Sequence, residues 1–189
     1  MMNHSFLIIH GLGGSGPDHW QTWLYHELTN RNMNVCYPTF SNFDTPDKEV
    51  WLRELSDCLS TIPHNHTLTV ITHSLGCLLW LHHLETETIR NAEQAILVAP
   101  PSPTITLKSA KSFYHPPLNS SHLVKGAKET VFVHSTNDPY CSIKDAELYT
   151  KLGAKSIIFP NMGHINTESG YGRWSWILHM CLKQALISA

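Results

Sequence analysis

Six short runs of apolar and β-branched residues recur along the chain, at Phe6 to His10, Asn34 to Tyr37, Leu68 to Thr72, Gln94 to Ala99, Thr130 to His134 and Ser156 to Phe159. Runs of this length suit strands better than helices. Between most of them lie longer stretches of helical character: Pro17 to Asn30, Pro46 to Thr61, Leu75 to Glu85 and Ile143 to Leu152, with a last one from about Gly172 to Ile187. This βαβα alternation excludes most folds. A strand such as Ala95-Ile96-Leu97-Val98 is apolar on both faces, as in a parallel sheet covered by helices on each side. The expectation is a three-layer α/β fold over residues 1–189 as one domain, a length ample for a single core.

Helix boundaries are expected from local chemistry. Pro17 and Pro46 suit first helical positions, where a missing N–H is harmless, with Thr45 as a cap. Ser142 and Asp145 have capping-box-like spacing, and Gly153 supplies a stop. The stripe Trp23, Leu24, Glu27, Leu28 and the run Trp174, Trp176, Ile177 are assigned to core-facing helix surfaces. The stretch Pro100 to Lys128 is rich in Pro and Ser and long for a plain connection, so a small flap or irregular helical insert is expected there.

Composition removes several functions. Hydrophobic residues are 42% of the chain, and the net charge of -2 comes with no basic run able to line a phosphate backbone, so nucleic acid is not an expected partner. No apolar stretch approaches the roughly 20 residues of a membrane span. The opening Met1-Met2-Asn3-His4-Ser5 lacks the features of a secretory signal, which points to the cytoplasm. Cysteines 36, 58, 77, 141 and 181 show no paired spacing and are expected to be reduced and mostly buried. Neither His64-x-His66 nor His82-His83 has the two-sided ligand pattern of a zinc site, so no metal is expected, and no cofactor.

The chemistry concentrates in four segments. Val70-Ile71-Thr72-His73-Ser74-Leu75-Gly76 places Ser74 at a strand-to-helix junction, the context of a nucleophile elbow, in which the neighbours two before and two after must be small. Gly76 meets that need. Thr72 stands where glycine is usual, so a locally adjusted bend is expected. Ser74 as a mere helix cap is the plainer alternative. A serine hydroxyl needs a base and a group that orients the base, in the chain order Ser, Asp or Glu, His. Asp138, in the turn-rich loop after Thr130 to His134, is the expected acid, with an Asx turn before Pro139 as its alternative role. His164, after Gly163 on the loop beyond the last strand, is the expected base. His82, His83, His134 and His179 are assigned packing or solvated roles.

Developing negative charge on the carbonyl oxygen calls for backbone donors. Leu75 N–H follows the nucleophile, and Leu12 N–H is the expected second donor, from the loop His10-Gly11-Leu12-Gly13-Gly14-Ser15-Gly16. That loop lacks both the lysine of a phosphate loop and a complete dinucleotide fingerprint. Trp20, beside His19, and Tyr140 are candidates to wall an acyl pocket, with ordinary packing as the commoner alternative for aromatics so placed, and Gly11 is a candidate to touch substrate. Because His164 must be neutral to act as base, activity is expected to rise with pH through the ordinary histidine range of about 6 to 7.

The segments His10-Gly11-Leu12-Gly13-Gly14-Ser15, His73-Ser74-Leu75-Gly76, Asn137-Asp138-Pro139-Tyr140 and Gly163-His164-Ile165-Asn166 resemble those of the small serine hydrolases related to YdeN and retinoblastoma-binding protein, within the α/β-hydrolase superfamily. Glu168-Ser169-Gly170-Tyr171-Gly172 is similar to a tail found in that family. The resemblance implies Ser74, Asp138 and His164 as triad, a sheet of about six strands, and no large lid. It implies hydrolysis of a small ester or related acyl substrate without cofactor. It also allows a non-catalytic protein-interaction module on the same fold, docking through the Pro100 to Lys128 surface.

Overall fold

The computed structural model describes residues 3–86 and 90–187; Met1 and Met2, the first residues of the opening read for a secretory signal, lie outside the described residues. The strands are β1 (His4–Ile9), β2 (Asn34–Cys36), β3 (Thr67–His73), β4 (Ala92–Val98), β5 (Ala127–Ser135) and β6 (Lys155–Phe159). The helices are α1 (Trp20–Thr29), α2 (Lys48–Thr61), α3 (Leu75–His83), α4 (Ser120–Gly126), α5 (Ile143–Thr150) and α6 (Ser175–Ile187). The strands form one all-parallel sheet in the order β2-β1-β3-β4-β5-β6. Parallel neighbours require crossovers, and the helices that make them coat both faces.

Alternation along β1 shows the two cores. Leu7 and Ile9 face Trp51, Leu55, Leu78 and Tyr149 on the side of α2, α3 and α5, whereas Phe6 and Ile8 face Leu24, Leu28, Ile177 and Cys181 on the side of α1 and α6. The chain reverses its direction across the sheet between β1 and β3, which pair from His4↔Thr67 to Ile9↔Thr72. Such a switch point opens a crevice at the strands' carboxyl ends. The remaining registers, His73↔Val98, Val98↔Val133 and Ser135↔Phe159, bring the other carboxyl ends to the same rim.

Three local expectations are corrected. The α1 cap is His19, whose Nδ1 accepts the Gln21 N–H, and Pro17 lies before it in a turn closed by His19 N–H to Gly16 O at 3.0 Å. The α2 cap is Asp47, not Thr45 before Pro46, because the carboxylate accepts the Val50 N–H at 3.0 Å. Ser142 caps α5 as expected, and Gly153 follows α5 with φ +80°. The third correction concerns Cys36 and Cys58, which form a disulfide joining β2 to α2, while Cys77, Cys141 and Cys181 are free and buried. The pairing closes across 22 residues of sequence, through a strand-to-helix contact that spacing does not reveal.

The segment between β4 and β5 carries a 3₁₀ turn at Lys108–Phe113 followed by α4, and is an irregular helical insert beside the carboxyl rim. It is well anchored: Phe113 is fully buried against Trp51, and its carbonyl accepts from His82 Nε2 at 2.9 Å. Among the described residues no helix is long and apolar enough to cross a membrane, and no large lid covers the rim.

Candidate active site

Ser74 leaves β3 with φ 52° and ψ -123°, a conformation that costs about 1–3 kcal/mol for a side-chain-bearing residue. The bend is possible because the backbone beneath it is close. A Cβ on Gly76 would lie 2.6 Å from His10 O and 2.7 Å from Ile9 O, and one on Gly11 would lie 2.9 Å from Ser74 Cβ. Thr72 fits without spoiling the turn: it is fully buried and donates its hydroxyl to Cys77 Sγ at 3.0 Å. The elbow hydroxyl is free for chemistry, because Ser74 makes no side-chain cap bond to α3.

His164 Nε2 lies 2.8 Å from Ser74 Oγ, and His164 Nδ1 lies 3.0 Å from both Oδ1 and Oδ2 of Asp138. Asp138 also accepts the Tyr140 N–H at 2.9 Å, so the Asx turn before Pro139 and the contact to His164 coexist. Asp138 and His164 are buried residues, at 8% and 7% exposure, which shields their contact from water.

The histidine loop is strapped from several sides. Ser135 Oγ accepts Met162 N–H and donates to Asn137 Oδ1, which in turn accepts Gly163 N–H at 2.7 Å. His164 N–H donates to Ser169 Oγ, in the tail that follows the histidine. Gly163, at φ +55°, leaves no room for a Cβ beside Ser169. From below, fully buried Trp20 donates Nε1–H to Ile165 O at 2.8 Å, and His73 donates Nε2–H to His164 O at 3.0 Å. Burial, then the neighbouring His164 and His19, drive the His73 ring well below the ordinary histidine range, so it is a neutral donor.

The glycine-rich loop after β1 is equally determined. Phe40 N–H donates to His10 Nε2 at 2.9 Å, so the His10 proton sits on Nδ1 and donates to Gly11 O at 2.8 Å. Because the Gly11–Leu12 peptide is trans, holding its carbonyl toward His10 turns the Leu12 N–H the opposite way. Gln21 ties the loop down by accepting from Ser15 Oγ at 2.7 Å and donating to Ile9 O at 2.9 Å.

Ser74 opens onto a cavity of about 290 Å³. Leu12, Pro101, Leu107, Tyr114 and Tyr140 supply apolar and aromatic lining, while His19, Asn166 and Glu168 supply polar groups. Tyr140 thus lines the cavity, its ring 4.6 Å from that of His164. Two expectations fail here. Trp20 has no exposed surface and supports the His164 loop rather than walling a pocket. Gly11 packs under Ser74 instead of facing the cavity. Sequence reasoning missed His10, His73, Asn137 and Ser169 as supports. The adjacency of His10 and His73 to the loop glycine and to Ser74 was their available signal. Among the described residues no group of three or more His, Cys, Asp or Glu could hold a metal ion.

Comparison with known proteins places the fold and the family. The chain is 27% identical over 177 residues, 90% of each sequence, to YdeN of Bacillus subtilis (strain 168). The crystal structure of the B. subtilis ydeN gene product superposes with a TM-score of 0.83 at 22% identity, covering 96% of this chain and 98% of that one. The fold extends to Est1E of Butyrivibrio proteoclasticus, solved with ferulic acid bound, at a TM-score of 0.68 and 13% identity over 96% and 89% of the two chains. The profile of the serine hydrolase family matches residues 6–183, so the chain belongs to that family, on a fold it shares with α/β hydrolases.

Proposed function

We propose that the protein hydrolyses small ester or related acyl substrates through a covalent acyl-enzyme on Ser74. The observation that carries this reading is the continuous contact from Ser74 Oγ to His164 Nε2 at 2.8 Å and from His164 Nδ1 to Asp138 at 3.0 Å. His164 Nε2 takes the hydroxyl proton as Ser74 Oγ bonds to the acyl carbon, and Asp138 accepts the Nδ1–H, holding the required tautomer. Collapse of the tetrahedral adduct breaks the acyl–oxygen bond, and the alcohol leaves with the proton from His164. Water then reverses the sequence, giving its proton to His164 and releasing the acid. Leu75 N–H, at the start of α3, and Leu12 N–H, turned outward by His10, are the proposed donors to the oxyanion in both steps.

Structural neighbours that are esterases, together with Est1E and its bound ferulic acid, support an ester of modest size as first substrate. The test is labelling by a fluorophosphonate together with hydrolysis of nitrophenyl esters graded by acyl length. Wild-type protein is expected to label and to turn over the shorter esters. Ser74→Ala is expected to lose the label and about 10⁴-fold or more in kcat while unfolding at an unchanged temperature. A folded wild type that neither labels nor cleaves any ester removes this function and leaves a binding role for the fold.

A further inference from the structure

Among the groups that line the cavity, the His19 ring offers a donor that the proposed reaction does not use. His19 Nδ1 accepts the Gln21 N–H at 3.1 Å, so the neutral ring carries its proton on Nε2. Burial, then the proximity of His164 and His10, push the ring down to about 4, so it stays uncharged near neutrality. No described residue accepts from Nε2, and the ring lines the cavity. An uncharged donor of this kind is satisfied only by water or by an acceptor that a ligand brings. It sits one imidazole from the reacting groups, since the His73 ring lies 4.9 Å from His19 and 5.0 Å from His164. Glu168, on the same cavity, disfavours an anionic ligand by like charge.

We infer that His19 is a specificity residue, and that the cavity takes acyl substrates carrying an uncharged oxygen acceptor, an ether, hydroxyl or carbonyl, a few bonds from the scissile carbonyl, in preference to plain alkyl esters. This rests on the hydrolase reading above and names its substrate class. Two near-isosteric pairs test it: nitrophenyl methoxyacetate against nitrophenyl butanoate, with the oxygen in the acyl group, and methoxyethyl acetate against butyl acetate, with the oxygen in the alcohol. Each ratio of kcat/KM is divided by the same ratio for hydroxide hydrolysis, which removes intrinsic reactivity.

The wild type is expected to favour the oxygen-bearing member about 5- to 10-fold in at least one pair, the effect of one well-placed neutral hydrogen bond. His19→Phe, which keeps a ring and removes the donor, is expected to bring that ratio close to one. His19→Asn, which can still cap α1 and still donate, is expected to restore part of it. Wild-type ratios near one in both pairs overturn the inference without any variant having to fold. A ratio unchanged in folded His19→Phe also overturns it and leaves His19 as a helix cap. Absence of both labelling and turnover is a different failure, that of the hydrolase reading, and takes this inference with it.

Discussion

In the proposed reaction His10 orients a backbone donor without touching substrate. Its two nitrogens are both committed, one accepting from Phe40 N–H and the other donating to Gly11 O, so the orientation of the Leu12 N–H is fixed before any substrate arrives. Preorganised donors of this kind carry much of the rate in acyl transfer. His10→Ala is therefore expected to lower kcat by about 10-fold or more with little change in KM, measured on a nitrophenyl ester beside a melting curve that shows the variant folded. Asp138→Asn is expected to cost about 10⁴-fold in kcat, because an amide holds the wrong tautomer of His164. At this scale the cluster of the proposed reacting groups was legible: Ser74, Asp138 and His164 stand in the required order, each after a strand, and lie within hydrogen-bond distance of one another. Their supports were not, since nothing local distinguishes a histidine that packs from one that orients a peptide. Trp20 illustrates the limit. Its position after the glycine loop suits a pocket wall and a buried strut equally, and only the fold points the indole at Ile165 O.

Among the elements, the junction of β3 and α3 is the most constrained. Gly76 lies against the carbonyls of Ile9 and His10, so Gly76→Ala forces two backbones apart. A loss of about 3 kcal/mol or more in unfolding free energy is expected, together with loss of fluorophosphonate labelling. Asp47→Ala, which removes only the α2 cap, is expected to cost about 1 kcal/mol and leave labelling intact. All six strands were readable from apolar runs; the inner ones are buried on both faces of the parallel sheet, Ala92–Val98 being the clearest case, whereas the edge strands Asn34–Cys36 and Lys155–Phe159 are half-buried or exposed along their length. Helix starts were less readable. Proline tolerates a first helical position but does not demand it, so the side-chain acceptors His19 and Asp47 decided where α1 and α2 begin.

Stability of the whole molecule is tied to acid through its buried imidazoles. His19, His83 and His134 are each pushed by burial from 6.5 to about 4. Below pH 6.5 the unfolded chain takes up protons at these sites while the folded chain refuses them until about pH 4, so stability falls as pH drops through this window and is unaffected above it. By linkage each site contributes about 2–3 kcal/mol of this loss. Urea unfolding at pH 7 and pH 4.5 is expected to show the fall, and His83→Gln, remote from the cavity, to reduce it. The Cys36–Cys58 bond acts at the same scale by restricting the unfolded chain over 22 residues. Removing it by Cys58→Ser is expected to cost about 3 kcal/mol in the same experiment. Its partners lie on different elements, so only the assembled fold brings them together.

The stretch from Ala99 to Gly126 contributes Pro101, Leu107 and Tyr114 to the cavity, yet none of Ser74, Asp138 or His164. Part of what decides admission is thus encoded in a length of polypeptide separate from the proposed reacting groups. A chimera that exchanges only this cassette would inherit new tastes while keeping its old chemistry, an independence that lets one scaffold diversify without relearning how to break a bond.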